Sequence, residues 1–162
     1  MDRRRVIEDC PAAPGAYVLA IELGAPLPLA LPRLTPVTLA AGRYLYCGSA
    51  RGPGGLRARL ARHFRPDKAI RWHVDRLTAA GVGTVLGALA YPDGDECALA
   101  AALADFPVPL TGFGSGDCHL CRSHLVSWPR GARSNAVPLE ALDRGCRAIY
   151  IVPPLRRSSS AG

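Results

Sequence analysis

Two tyrosines in short apolar segments are the first residues of this sequence whose type and setting suit chemistry. Tyr17 follows Gly15 by two positions, and Tyr46 precedes Gly48 by two. Glycine at such positions permits close approach of backbone or ligand. A tyrosine hydroxyl can orient a water molecule, or take its proton where nearby cations favour the ionised form. The alternative for each tyrosine taken alone is ordinary packing within a strand.

A concentrated run of positive charge follows the second tyrosine. Residues 51–71 contain seven basic residues and a single acidic one, so this segment supplies most of the net charge of +7. Such a segment predicts a polyanion partner, nucleic acid above all, and the alternative is a solvated helix face. The predicted nucleic-acid-binding residues in and around it are Gly48, Ser49, Arg51, Arg57, Arg62, Arg65, Lys68, Arg71 and His73.

Cysteine and histidine are grouped at one place in the second half of the chain. Cys118, Cys121 and His124 have the donor types that zinc prefers, but no second pair at the usual spacing closes a tetrahedral site. His119 would serve as a fourth ligand only in a cramped loop. We therefore expect a conformationally special loop, with glycines at positive φ and Asp117 bonded to backbone, rather than structural zinc. The remaining cysteines stand among apolar neighbours and predict buried reduced thiols.

Length and composition fit one globular domain. The 162 residues are 49% hydrophobic and 20% charged, and we expect a single domain over residues 1–155 with a disordered tail over 156–162. No segment is long and apolar enough to span a bilayer, and no apolar stretch follows the basic N-terminus. The sequence therefore predicts a cytoplasmic protein without a membrane partner.

The elements that must position these residues follow from hydrophobic periodicity. The predicted strands cover residues 15–22, 35–39, 43–48, 84–91, 124–128 and 148–152. The predicted helices cover residues 56–64, 71–79, 95–105 and 138–144. The connections between the first strands are too short for crossover helices, so we expect an α+β fold with an antiparallel or mixed sheet and helices packed on it.

Several of these segments, in this order, resemble a known superfamily. The tripeptides GAY at 15–17 and YCG at 46–48 are similar to the paired signatures of the GIY-YIG nucleases. The block GLRARLARHF resembles the helix that follows them, with Arg59 as its arginine, and Glu96 falls where the superfamily keeps its metal-binding glutamate. The segments RWHVDRL and GFGSGDCHLCRSHL resemble a prokaryotic branch with a WHID-like motif and a GFG…DC…C…SHL ending.

The resemblance implies a three-stranded antiparallel core sheet flanked by helices, with C-terminal extension strands, and one-metal hydrolysis of nucleic acid, DNA favoured over RNA. Arg59 would clamp the phosphate oxygens, and Glu96 would hold one Mg²⁺ or Mn²⁺ ion. Tyr17 would act as base or water-orienting group, supported by Tyr46. His63, one helical turn after Arg59, would bind the phosphate or relay a proton.

Each role has a structural alternative. Glu96 also fits a capping box over residues 93–96, folded back on its own helix end. The alternative for His63 is an ordinary residue on the helix surface, and the alternative for Arg59 is one more solvated arginine. For the protein as a whole, the alternatives are a catalytically weak nucleic-acid-binding module and a Cys/His metal-binding interaction domain.

Overall fold

A five-stranded mixed sheet forms the centre of the computed structural model, which describes residues 7–115, 120–144 and 148–152. The seven strands are β1 (Gly15–Leu23), β2 (Leu27–Leu29), β3 (Val37–Leu39), β4 (Gly42–Ala50), β5 (Gly83–Pro92), β6 (Leu125–Ser127) and β7 (Ile149–Ile151). The helices described in full are α1 (Gly55–Phe64), α2 (Asp75–Thr78), α3 (Glu96–Ala102) and a 3₁₀ helix at Leu139–Arg144, and residues 7–9 are also helical. None of the helices in these ranges is long and apolar enough to cross a membrane.

The sheet has the strand order β6-β4-β1-β5-β7. Its three central strands are antiparallel, because β1 pairs with both β4 and β5 in opposite directions. The edge strands β6 and β7 come late in the chain, and β7 runs parallel to β5. Strands β2 and β3 form a separate hairpin. The predicted α+β fold, with an antiparallel three-stranded core and C-terminal extension strands, is confirmed.

Strand β1 is buried on both faces, so its alternating side chains divide the core into two layers. One layer joins its odd-numbered residues to α1, α2 and the loop after α3: Tyr17, Leu19, Ile21, Leu56, Leu60, Leu77 and Phe113. The other joins its even-numbered residues to α3 and the C-terminal segments: Ala16, Val18, Ala20, Leu99, Leu103, Trp128 and Leu142. Helices therefore cover both faces of the sheet.

Helix α1 is held against the start of β1 by the segment that precedes that strand. The N–H groups of Leu56 and Arg57 donate to the carbonyl oxygens of Ala13 and Pro11, at 2.9 and 3.2 Å. These bonds satisfy donors that a helix start leaves without partners. Gly55 has φ of +55°, and a Cβ there would lie 2.3 Å from the Ala13 oxygen, so this junction requires glycine.

Most predicted elements are confirmed with shifted ends, and the second helix is the main error. Residues 71–79 were expected to be helical, but α2 covers only Asp75–Thr78. The Asp75 carboxylate accepts hydrogen bonds from the backbone N–H groups of Arg71 and Trp72, at 2.8 and 2.9 Å. These bonds fold residues 71–74 into a tight turn, since a side-chain acceptor competes with helical bonding. The third helix ends at Ala102, and the last is a 3₁₀ helix.

Several sequence predictions concern residues outside the described ranges. They include the tail at 156–162, Cys118, His119 and Asp117.

Candidate active site

The candidate site lies at the end of the sheet where β1 begins and both its neighbours end. Gly15, the first residue of β1, pairs with Ala50 of β4 and with Pro92 of β5. Helix α1 starts shortly after β4, and α3 starts shortly after β5. The topology therefore brings four separate segments of chain to one end of the molecule.

Tyr17 and Tyr46 share one face of the sheet at this end. Tyr17 pairs with Gly48 across the two strands, while Tyr46 pairs with Leu19, so the tyrosines are diagonal neighbours. Their ring centroids are 6.4 Å apart. A Cβ on Gly48 would lie 2.3 Å from the Tyr17 ring and hydroxyl. Gly48, predicted to bind nucleic acid, is buried beneath Tyr17 and makes room for it.

His63 is the direct partner of Tyr17. The Tyr17 hydroxyl and His63 Nε2 are 2.7 Å apart, which is a short hydrogen bond whose direction depends on the imidazole tautomer. His63 is only 1% exposed, so its interpretation as a helix-surface residue is wrong. Burial lowers the pKa of His63 to about 3, opposed in part by the nearby Asp75 carboxylate. The imidazole is therefore neutral at physiological pH.

The charges of Arg59 and Glu96 both act on the two tyrosines. Burial is the main cause that raises the pKa of Tyr17 and of Tyr46 above their usual values. For both hydroxyls, the Glu96 carboxylate raises the pKa further and the Arg59 guanidinium lowers it. Coulomb effects of this kind require proximity. Arg59 and Glu96 therefore both lie within electrostatic range of the two tyrosines.

The arginines of α1 differ in whether their guanidinium groups form hydrogen bonds within the protein. Arg57 donates to the Cys10 carbonyl oxygen at 2.7 Å, and Arg62 forms two bonds with Asp75 at 2.8 and 2.9 Å. Arg59 forms no hydrogen bond or ion pair with any residue in the described ranges. Its guanidinium carbon lies 4.1 Å from the centroid of the Trp72 ring, a cation–π contact that fixes its place. A planar donor group is thereby held ready for an anion.

Glu96 begins α3 with its carboxylate partly open to solvent. Asp95 provides the helix cap, because its side chain accepts from the Cys97 backbone N–H at 3.0 Å. The capping-box interpretation of Glu96 is therefore wrong. The Glu96 side chain is 33% exposed, and its Oε2 lies 3.8 Å from Nδ1 of His124. An accessible carboxylate is a hard oxygen ligand of the kind that Mg²⁺ and Mn²⁺ prefer.

The other predicted nucleic-acid contacts divide into internal and exposed groups. Arg57 and Arg62 are engaged as described, and Lys68 donates to three backbone oxygens, those of His63, Arg65 and Thr78. Lys68 therefore serves as a cap that closes the end of α1 onto α2.

The exposed group consists of three arginines. Arg51, Arg65 and Arg71 have exposed side chains, and Trp72 beside them is partly exposed. Ser49 is half-buried within β4. His73 accepts a hydrogen bond from the Gly114 N–H at 3.3 Å and packs against Phe113. Its Nδ1 is thus committed to the loop that covers Tyr46.

A second group of ligand-type side chains lies on the Glu96 side of the site. Cys97, Cys121 and His124 bring one donor atom each within 4.8 Å of one another, and this soft-donor cluster can hold a metal ion. The sequence grouped Cys121 and His124 correctly but missed Cys97, which α3 contributes from a distant segment. Within its own segment, Cys97 carries no spacing signal that marks it as a ligand. Cys118 lies outside the described residues.

The geometry can be compared with known families. Residues 16–145 match a family model described as domain of unknown function DUF123. The chain belongs to the DUF123 family. The matched region of this DUF123 protein contains both tyrosines, Arg59, Glu96 and the soft-donor cluster. No curated protein and no solved structure gives a significant match.

Proposed function

We propose that this DUF123 protein is a divalent-metal-dependent endonuclease of the GIY-YIG superfamily that hydrolyses DNA phosphodiester bonds. The observation that carries the proposal is the convergence of an uncommitted arginine and an accessible carboxylate on a buried tyrosine–histidine pair. Arg59 supplies the cation, Glu96 the carboxylate, and Tyr17 with His63 the pair. Hydrolysis of a phosphodiester needs charge relief on phosphoryl oxygens, an oriented water and stabilisation of the leaving oxygen.

Arg59 is the proposed phosphate clamp. Its planar fork matches two non-bridging oxygens, and its contact with Trp72 limits the side-chain freedom lost on binding. The exposed Arg51, Arg65 and Arg71 extend positive charge along the surface for neighbouring phosphates. Trp72 lies beside α1 with the guanidinium carbons of Arg59 and Arg62 over its ring, at 4.1 and 4.2 Å from the ring centroid.

Glu96 is the proposed ligand of one Mg²⁺ or Mn²⁺ ion. When bound, such an ion supplies Lewis-acid charge relief for the phosphoryl and leaving oxygens. The carboxylate now raises the pKa of both tyrosine hydroxyls by its negative charge. A cation held by Glu96 would offset that negative charge and so would favour ionisation of both hydroxyls.

Tyr17 and His63 are the proposed water-orienting pair. With the Tyr17 hydroxyl donating to Nε2, its oxygen has a lone pair that accepts a hydrogen bond from the attacking water. As the new P–O bond forms, the water proton moves to the Tyr17 oxygen and the tyrosine proton moves to His63 Nε2. The leaving oxygen takes its proton from solvent as its bond to phosphorus breaks. Neutral His63 is required because a protonated ring has no lone pair for this relay.

A cleavage screen tests the proposal. The protein is incubated with nicked, flapped, branched and plain DNA in Mg²⁺, in Mn²⁺ or in EDTA. We expect cleavage that requires a divalent ion, and a rate about 10²–10³-fold lower in Glu96→Gln. Glu140→Gln is the matched control, because Glu140 is an exposed glutamate of the 3₁₀ helix. Equal rates for the two variants would remove Glu96 from the mechanism.

The nearest alternative function is a nucleic-acid-binding module that does not cut. The same basic surface would serve it, with salt-dependent binding as its signature. Tight, salt-sensitive DNA binding without cleavage in any ion would favour that module over the endonuclease. RNA substrates of the same shapes, included in the screen, test the preference for DNA.

The two metal-binding regions call for different ions. Glu96 offers oxygen, which suits Mg²⁺ or Mn²⁺, whereas the soft-donor cluster offers two sulfurs and an imidazole, which suit zinc. We therefore propose zinc for Cys97, Cys121 and His124. If the protein acts instead as a Cys/His interaction domain, zinc would be stoichiometric and DNA binding would be weak.

A further inference from the structure

We infer that a zinc ion at the soft-donor cluster positions Glu96 through His124. The zinc ligands are Cys97 Sγ, Cys121 Sγ and His124 Nε2, while His124 Nδ1–H donates to the Glu96 carboxylate. The zinc site stands on its own observations. The statement that Glu96 then presents its other oxygen to Mg²⁺ rests on the proposed function.

The state of His124 is the first observation that points to a ligand. Its side chain is 2% exposed, and neither ring nitrogen has a hydrogen-bond partner within the part of the chain that the structure describes. The other two histidines of the site region each use a ring nitrogen, His63 with Tyr17 and His73 with Gly114. Buried polar groups normally have partners, so an imidazole with two unpaired nitrogens needs an explanation. A metal ion beside two cysteines provides one.

The placement of the three donors is the second observation. Cys97 lies in the first turn of α3, while Cys121 and His124 precede β6. The His124 backbone is anchored independently, because its N–H donates to the Phe113 oxygen and its carbonyl accepts from the Cys47 N–H, both at 2.9 Å. An ion on the cluster would therefore tie the start of α3 to a fixed point beside β4. Three protein donors leave one position of a tetrahedral ion for a further ligand.

The position of Glu96 identifies which nitrogen binds the ion. Glu96 Oε2 lies 3.8 Å from His124 Nδ1. The carboxylate is therefore on the Nδ1 side of the imidazole, which leaves Nε2 for zinc. A metal-bound histidine commonly donates its other N–H to a carboxylate, which fixes the tautomer and the ring orientation. The present 3.8 Å is longer than a hydrogen bond, and a small movement of Glu96 closes it. Glu96 and Cys97 are adjacent, so the ion restrains Glu96 from both sides.

Zinc content of the full-length protein is the primary test. The protein is purified under reducing conditions without chelators or a histidine tag, and its zinc is measured by mass spectrometry. We expect about one zinc ion per chain, with loss of zinc in Cys121→Ser and in His124→Gln. Cys10→Ala is the matched control, because Cys10 is a buried thiol outside the cluster. A wild type without zinc after reconstitution, or a Cys121→Ser protein with full zinc, would overturn the site.

Cobalt substitution in the wild type tests the site without any variant, so the result does not depend on whether the variants fold. Co²⁺ bound by the wild type should show thiolate-to-metal charge-transfer bands, since two sulfurs coordinate it. A cobalt protein without those bands would also overturn the site.

The link to Glu96 is tested by zinc affinity rather than by cleavage. In a competition with a chromogenic chelator, Glu96→Gln should bind zinc about 10–100-fold more weakly than the wild type, as expected for loss of an outer carboxylate. Glu140→Gln should bind as the wild type does. Unchanged zinc affinity in Glu96→Gln would refute the contact between Glu96 and His124. The zinc site itself is tested separately, by the zinc content of the wild type and of Cys121→Ser. A protein that holds one zinc ion per chain but never cleaves DNA would refute the proposed endonuclease activity and would leave the zinc site supported.

Discussion

Acid sensitivity of the fold is the sharpest consequence of the buried Tyr17–His63 pair. His63 has an ordinary pKa of 6.5, and burial lowers it to about 3 in the fold. Below pH 6.5 the unfolded chain therefore binds a proton at His63 that the folded chain does not. Stability is lost as pH falls through this window, at about 1.4 kcal/mol per pH unit from this group alone. By pH 4 the loss is about 3 kcal/mol.

The assay compares the wild type with His63→Gln, which keeps a polar side chain opposite Tyr17 but cannot titrate. Urea unfolding is followed by far-UV circular dichroism at pH 7, 6, 5 and 4. Tryptophan fluorescence is unsuitable because Trp72 lies 6.3 Å from the imidazole and would respond to its charge. The difference between the two proteins cancels acid effects that they share, including protonation of Asp75, whose carboxyl pKa is lowered despite burial by bonds from Arg62 and the backbone. A parallel decline of both proteins would refute a neutral, buried His63.

Three further predictions follow from the same packing. Gly48→Ala places a methyl group against the Tyr17 ring, so we expect a loss of about 1–3 kcal/mol in urea unfolding together with loss of cleavage. Gly24→Ala has open space and should be nearly neutral. Arg62→Ala removes the ion-pair partner of the fully buried Asp75 carboxylate and leaves its Oδ1 without a hydrogen bond, so it should cost about 3 kcal/mol in chemical unfolding, whereas the exposed Arg71→Ala should cost little. Because the relay uses neutral His63, whose pKa is about 3, and neutral Tyr17, whose pKa is raised by burial, these two groups should leave the cleavage rate independent of pH across the neutral range, and Tyr17→Phe should lower the rate throughout that range.

Local patterns were sufficient to predict the central sheet and α1. Apolar and β-branched residues marked β1 and β5, alternating tyrosines marked β4, and apolar residues at every fourth position marked the buried face of α1. Those elements also determine where Tyr17, Tyr46 and Arg59 lie, so their proximity followed from the topology. The error at residues 71–74 arose because one carboxylate, that of Asp75, replaced helical acceptors with its own oxygens.

The side-chain partners could not be predicted, because they depend on contacts between distant segments. Arg62 and Lys68 resembled exposed nucleic-acid ligands, yet the fold uses them to bind Asp75 and backbone carbonyls. The sequence left His63 with a helix-surface alternative, because nothing local indicates that this face of α1 is buried against Tyr17. Cys97 joined the soft-donor cluster only because α3 begins beside the segment that carries His124.

The central claim is that Arg59 stabilises a phosphoryl transition state, whereas the other basic residues only hold or surround the nucleic acid. The most direct measurement is the single-turnover cleavage rate at saturating protein, for Arg59→Ala and for Arg65→Ala, on the substrate that the wild type cuts fastest. Arg65 is an exposed arginine just after the same helix and is the matched control. We predict a rate about 10²–10³-fold lower for Arg59→Ala and close to the wild type for Arg65→Ala. Equal rates for the two variants would contradict the account.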